Sequence, residues 1–327
     1  MVLDTFIIGG GPAGIAVANT LQKEGLNVLA ADRGPIANNI MHFPVFMQFF
    51  SSRDLLVIDD FPMTIPEEKP DRRQYLTYLN NFVESRKIQL LTYTEVLGVE
   101  KTNGVFSVQT KNVGNGKEET FQTKSVVTAC GAYERPRYMN VPGEDLPKVS
   151  HYFSEPHPYF KKKVMVVGGR NSAIETALIL YRSGAHVSLS YRREDLSGSG
   201  IKYWIKPDIE ARLRNGEITP YLSTNVKRID QDSVVLTREN GEEIVVENDY
   251  VIALTGYEPP AEFMDKLGIK YDPETKAPEH NPETLETPVR GHFIAGVITC
   301  GNISGKVFIE NSRHHGELIL KGLRGLV

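Results

Sequence analysis

The chain has 327 residues, 40% of them apolar and 24% charged, with a formal net charge of −4. That length allows two domains with cores of their own, and that charge excludes nucleic acid or an anionic membrane surface as the main partner. No apolar run reaches the roughly 18 residues a membrane-spanning helix needs, and two cysteines, Cys130 and Cys300, are too few for a disulfide scaffold or a zinc site, while their wide separation in sequence rules out a Cys-x-x-Cys redox pair.

The chain opens on a predicted strand, Asp4-Thr5-Phe6-Ile7-Ile8. No basic segment precedes it, so no secretory signal is expected and a cytoplasmic setting is the default. A glycine turn follows, Gly9-Gly10-Gly11-Pro12-Ala13-Gly14, then a helix from Ile15 to Gly25 and a strand from Asn27 to Ala31 that ends in Asp32. Further on, Ser125 to Thr128 reads as an apolar strand closing on Ala129-Cys130-Gly131.

The same pattern then returns. Val164 to Val167 is a strand, Gly168-Gly169-Arg170-Asn171-Ser172-Ala173 a turn, about Ala173 to Ser183 a helix, and His186 to Tyr191 a strand. Tyr250 to Leu254 repeats the later apolar strand and closes on Thr255-Gly256. Near the end, Arg290 to Ala295 and Gly296 form another strand and turn, followed by a helix from about Val307 to Leu323. Strands alternating with helices imply parallel sheets covered by helices. The expected fold is α/β, with two Rossmann-like doubly wound domains, one inserted in the other. The boundaries are 1–138 and 258–327 for the outer domain and 139–257 for the inserted one.

The first turn has the context a dinucleotide site needs: a strand before it, a helix after it and an acid ending the next strand. Gly9 permits the tight turn, Gly11 lets a pyrophosphate approach the helix start, and Gly14 lets helix and strand pack closely. Asp32 can accept a hydrogen bond from an adenosine ribose hydroxyl. The second turn departs from this pattern, because Arg170 replaces the middle glycine. Its guanidinium either folds over the phosphates or is a solvated turn residue. Tyr191 stands where Asp32 stood, with Arg192 and Arg193 directly after it. An acid there favours a free ribose and repels a 2′-phosphate; arginines do the reverse, and Lys202 could join them. The first module is therefore read as holding a free-ribose adenosine cofactor and the second as holding NADPH. Two nicotinamide sites would do no chemistry together, whereas a tightly held flavin beside exchangeable NADPH makes a relay. FAD is thus assigned to the first module, with Gly296 and a helix start near Ser304 facing the flavin.

The double module, with its small-residue turns at Ala129-Cys130-Gly131, Thr255-Gly256 and Ala295-Gly296, resembles the thioredoxin reductase-like flavoproteins with two dinucleotide-binding domains. Narrower motifs resemble the bacillithiol disulfide reductase (YpdA-like) family. These are Phe49-Phe50-Ser51-Ser52, Val141 to Val149, His151-Tyr152-Phe153, Glu155 to Phe160, Asn171-Ser172-Ala173 and Phe308 to Asn311. The resemblance implies FAD contacts at Gly9, Gly11, Pro12, Ala13, Gly14, Asp32, Arg33, Gln48, Ser51, Val96, Gly131, Gly296 and Val297. It implies NADPH contacts at Gly169, Arg170, Asn171, Ser172, Arg192, Arg193 and Gly256. The best-studied members resemble a Gly-Gly-Gly-Pro-Cys-Gly turn whose cysteine would attack a disulfide. Here that place is Ala13, so a mixed disulfide cannot form on it.

The resemblance implies an NADPH-dependent flavin enzyme that reduces the disulfide of a low-molecular-weight thiol such as bacillithiol, and a homo-oligomer. Electron transfer to a ferredoxin-like or other redox protein, a flavin monooxygenase and a nucleotide-binding redox sensor are the alternatives. Cys130 reads as a packed small residue. Cys300, shortly after Gly296, is the candidate redox thiol. Glu175 is a candidate to meet the nicotinamide or a helix-surface residue. Tyr203 and Trp204 read as packing or a lid, and the histidines show no metal-ligand spacing.

Overall fold

The computed structural model describes residues 2–198, 200–303 and 305–325. It divides into two compact units, Met1–Arg135 with Tyr257–Val327, and Pro136–Gly256.

In the first unit the central strands run in the order Leu90–Leu91, Val28–Ala31, Leu3–Ile8 and Glu118–Thr128, each pair parallel. The strand Glu118–Thr128 has two different neighbours on its other side. Its beginning pairs antiparallel with Val105–Asn112, which in turn pairs with Thr94–Thr102. Its end, Val126 to Thr128, pairs parallel with His292–Ile294. The strand after Arg290 thus completes the first sheet. Phe6, Ile7 and Ile8 are all buried, as a parallel strand covered on both faces requires.

The helix Pro12–Lys23 packs on this sheet through Ile15, Val17 and Leu21. It begins at Pro12, not at Ile15 as predicted, because proline's missing N–H costs nothing in the first turn. The helix Arg72–Arg86 is closed by a reciprocal cap: Gln74 N–H donates to Asp71 Oδ1 at 2.8 Å, and Asp71 N–H donates to Gln74 Oε1 at 2.8 Å. The predicted last helix is two pieces, Ile309–Ser312 and His315–Arg324, after a 3-10 turn at Gly296–Cys300. Ser304, the expected helix start, lies outside the described residues. A Cβ at Gly316 would lie 2.5 Å from Thr20 Oγ1, so glycine there lets the last helix cross the first closely.

The second unit repeats the arrangement. Its parallel sheet has the order Thr219–Leu222, His186–Tyr191, Lys163–Val167, Tyr250–Ala253 and Val149–Ser150. Asn225–Ile229, Ser233–Thr237 and Glu243–Glu247 form a separate antiparallel meander. Lys163–Val167 takes the place of Leu3–Ile8, and Tyr250–Ala253 that of Glu118–Thr128. The helix Asn171–Arg182 buries Ile174, Ala177, Leu178 and Leu180. The fold is the expected α/β type with duplicated Rossmann-like sheets. Among the described residues no helix is long and apolar enough to cross a membrane.

Candidate functional site

In the first unit, five glycines from three separate segments gather around the start of the helix Pro12–Lys23. Gly9 has φ +114°, and a Cβ there would lie 2.7 Å from the Ala129 carbonyl carbon and overlap its oxygen. Gly14 lies so close to the Gly9 carbonyl that a Cβ would overlap that oxygen. Gly11, the N-cap residue, has nothing within 4 Å of a built Cβ. Strand, turn and helix are thus locked together by Gly9 and Gly14, while Gly11 leaves open space at the helix start. That is where backbone N–H groups and the helix dipole favour a phosphate.

The other two glycines bring in distant segments. Gly131 has φ +71°, and a Cβ there would lie 2.7 Å from Asn39 Nδ2 and 4.0 Å from Val297 Cγ1. Gly296 has φ +79°, and its Cβ would lie 2.9 Å from the Ala13 methyl. The Gly296 N–H donates to His315 Nδ1 at 3.1 Å. That bond requires a neutral imidazole carrying its proton on Nε2. Burial lowers His315 to about 4, with His280 and His314 adding to the effect.

Asp32 sits at the end of Val28–Ala31 and accepts two backbone bonds, from Gly10 N–H at 2.8 Å and Gly34 N–H at 2.9 Å. Each carboxylate oxygen keeps a lone pair for a further donor. Arg33 pairs with Glu134 at 2.7 Å, and Glu134 also accepts from Asn38 Nδ2 at 2.6 Å. Pro12 and Ala13 open the helix beside this turn. Gln48 Nε2 donates to Lys69 O at 3.3 Å, and Val96 is buried in the core with Ile8 and Ala31, the strand ends that lead into the glycine turn and Asp32. Ser51 is half-buried in the same segment as Gln48.

Both cysteines lie in this unit. Burial pushes the Cys130 thiol up to about 12. Cys300 is buried in the 3-10 turn, its thiol donates to Val297 O at 3.1 Å, and burial raises its pKa as well. The thiolate is the reactive form, so this environment works against the redox role the sequence left open for Cys300.

The second unit builds its turn the same way with different side chains. Gly168 has φ +138°, and a Cβ there would lie 2.5 Å from Leu254 O, the counterpart of the Gly9–Ala129 approach. Gly169 packs under Tyr191, whose Cζ would lie 2.5 Å from a built Cβ. Arg170 is exposed at the N-cap of Asn171–Arg182. Asn171 ties a loop to the helix start: its Oδ1 accepts from Lys202 N–H at 2.8 Å and its Nδ2 donates to Gly200 O at 3.4 Å. Ser172, Arg192 and Arg193 are exposed, and Arg193 donates to Gly198 O at 3.2 Å. Gly256 has φ +104°, and its carbonyl accepts from Arg137 N–H at 2.9 Å. Burial raises Glu175 to about 7.

Asn38, Asn39, Glu134 and His315 were missed as site residues by sequence reasoning. Asn38 and Arg33 meet Glu134, Asn39 meets Cys130 and His315 meets Gly296; these contacts are long in sequence, and no local motif marks them. In both units the residues present fit an adenine dinucleotide. The first offers an open glycine at a helix start and a tethered carboxylate. The second offers a helix start flanked by exposed guanidinium groups.

The pyridine nucleotide-disulphide oxidoreductase model matches residues 6–296. The chain is 43% identical to the bacilliredoxin reductase Bdr of Bacillus subtilis over 95% of this chain and 94% of that protein. Its fold is similar to solved structures of the bacillithiol disulfide reductase Bdr (YpdA). For the Bacillus cereus protein the TM-score is 0.96 at 41% identity, covering 100% of both chains. For the Staphylococcus aureus protein it is 0.93 at 37% identity, covering 100% of this chain and 99% of that one.

Proposed function

The chain belongs to the pyridine nucleotide-disulphide oxidoreductase family and, within it, to the bacillithiol disulfide reductase group, and on that premise we propose that it oxidises NADPH and reduces a low-molecular-weight disulfide, with bacillithiol disulfide as the substrate of choice. It is a flavoprotein oxidoreductase that uses FAD and a pyridine nucleotide. The net reaction is NADPH plus a proton plus one disulfide giving NADP+ and two thiols.

One observation carries the assignment of the two nucleotides. Asp32, held by two backbone N–H groups, ends the second strand of the first unit. At the matching place the second unit has Tyr191 packed on Gly169, with Arg192 and Arg193 exposed after it. The carboxylate suits the free ribose of FAD, and the guanidinium groups suit the 2′-phosphate of NADPH. FAD, when bound, supplies a two-electron relay between a hydride donor and a second acceptor.

This chain's own residues hold, orient and select. Gly11 admits the pyrophosphate, Asp32 fixes the ribose, and the Gly131 and Gly296 turns shape the wall at the start of the helix Pro12–Lys23. The places where a relay thiol would be sought do not favour one. Ala13 cannot form a mixed disulfide, and burial raises both thiols. These features favour action on the disulfide without a protein thiol in between.

Anaerobic incubation of the holoenzyme with NADPH and bacillithiol disulfide tests this reading. Two thiols released per NADPH consumed is the expected result. NADPH consumption only when oxygen is admitted, with no thiol released, would refute the acceptor.

A further inference from the structure

The loop after the second-unit arginines carries two large aromatic side chains in the open. Tyr203 is 82% exposed and Trp204 is 43% exposed. Rings of this size are usually withdrawn from water unless they meet something. The sequence reads them as packing or a lid, but so exposed a tyrosine does not pack in the core of this unit. Their rings meet edge to face, with centroids 4.9 Å apart and planes at 87°. One therefore presents a face where the other presents an edge.

The backbone beside these rings is not free to wander. Asn171, first residue of the helix Asn171–Arg182, accepts from the Lys202 N–H and donates to Gly200 O. Ile205, buried, closes the turn by donating its N–H to Lys202 O at 3.0 Å. The aromatic pair is thereby held next to the helix start where a dinucleotide pyrophosphate would sit. The Lys202 ammonium lies 5.8 Å from the Trp204 ring centroid, and Arg192 and Arg193 stand exposed at the end of the neighbouring strand.

Aromatic faces interleaved with cations match the chemistry of a planar base carrying phosphate. Stacking serves the base and the cations serve the anion. We infer that Tyr203 and Trp204, joined edge to face with no gap for a base between them, form a one-sided aromatic clamp that stacks on one face of the adenine of the nucleotide held at the Gly168–Ala173 turn. The inference rests on the reading that this unit binds NADPH, and it goes further by assigning the base to named side chains.

Trp204 is the only tryptophan of the chain, so its emission reports on the clamp directly. The holoenzyme is titrated with adenosine 2′,5′-bisphosphate, which carries the adenine and the 2′-phosphate but cannot reduce flavin. Saturable quenching of Trp204 emission is expected, with inorganic phosphate alone leaving the emission unchanged. By calorimetry, Tyr203→Ala and Trp204→Ala each raise the Kd about tenfold, while Tyr203→Phe keeps the wild-type value. Tyr203 is so exposed that its truncation leaves the core intact. Binding of the bisphosphate with unchanged emission and wild-type Kd in both alanine variants overturns the clamp and leaves the NADPH site standing. No binding of the bisphosphate, together with no bleaching of the flavin by NADPH, overturns the site and the clamp with it.

Discussion

The Gly10 N–H donates to Asp32 Oδ2 at 2.8 Å, tying the carboxylate that ends one strand to the glycine turn that ends its neighbour. In the second unit the same two places are Gly169 and Tyr191, and there an aromatic ring lies flush on the glycine. The backbones agree while the chemistry differs. A fixed negative charge stands in one copy; a neutral ring followed by two arginines stands in the other.

That difference makes Asp32 the residue on which flavin retention turns. Asp32→Asn keeps the size of the side chain but loses the charge that strengthens a bond to a ribose hydroxyl, and it sets an amide NH2 against one of the two backbone N–H groups that Asp32 accepts. Charge-assisted hydrogen bonds contribute about 1.5–3 kcal/mol, so FAD affinity falls roughly ten- to a hundredfold. Titration of flavin-stripped protein with FAD, followed by flavin fluorescence quenching, measures it. Wild-type affinity in the variant would show that the carboxylate does not meet the ribose.

Gly9 and Gly11 are two positions apart and should fail in different ways. Gly9→Ala places a methyl against the Ala129 carbonyl in a backbone with φ +114°. Strain of this kind costs about 1–3 kcal/mol before the overlap is counted, so the flavin-stripped variant melts well below wild type. Gly11 has φ −79° and open space around it. Gly11→Ala therefore leaves the melting temperature of the stripped protein near wild type and lowers FAD content, because the methyl occupies the approach of the pyrophosphate. Equal loss of stability in both variants would contradict the assignment of that space to a ligand.

The parts of the fold that were legible in the sequence are those written in local pattern. Phe6 to Ile8 and Val164 to Val167 are apolar runs that end in glycine turns, and each forms a central parallel strand. The antiparallel meanders left no such mark. Thr94–Thr102 and Val105–Asn112 mix Glu95, Lys101, Gln109 and Lys111 with their apolar residues, because one face is solvated. Asn225–Ile229 hides for the same reason behind Lys227 and Arg228. At the candidate site, the glycines and Asp32 were visible because their spacing is local. Asn39, Glu134 and His315 were not, because Asn39 meets Cys130, Glu134 meets Arg33 and His315 meets Gly296 only after the chain has folded.

Coenzyme choice follows from the exposed arginines of the second unit. A 2′-phosphate facing Arg192 and Arg193 gains charge-assisted bonds that NADH cannot offer. The holoenzyme is expected to favour NADPH over NADH at least about tenfold in kcat/KM, and Arg192→Ala to reduce that ratio about tenfold, chiefly by raising KM for NADPH. Steady-state rates with both coenzymes and an artificial dye acceptor provide the check. Equal use of the two coenzymes by the wild-type protein would remove the assignment.

His315 supplies the pH dependence. Its Nδ1 accepts the Gly296 N–H, and burial lowers its pKa from 6.5 to about 4. The unfolded chain binds a proton on this ring below about pH 6.5, whereas the folded protein resists doing so until about pH 4. Its contribution to stability is therefore fully present above pH 6.5 and is lost as the pH falls through about 4. Protonation also puts a second donor against the Gly296 N–H, which removes that hydrogen bond. His292, buried on the strand His292–Ile294 and also lowered to about 4, adds to the same acid limb. His315→Gln offers an amide oxygen to Gly296 and takes up no proton. Thermal melts of the holoenzyme from pH 8 to pH 4 should show the variant losing less stability than wild type across that range, and releasing less flavin at pH 4.5. Parallel acid limbs in the two proteins would show that His315 does not control the Gly296 turn.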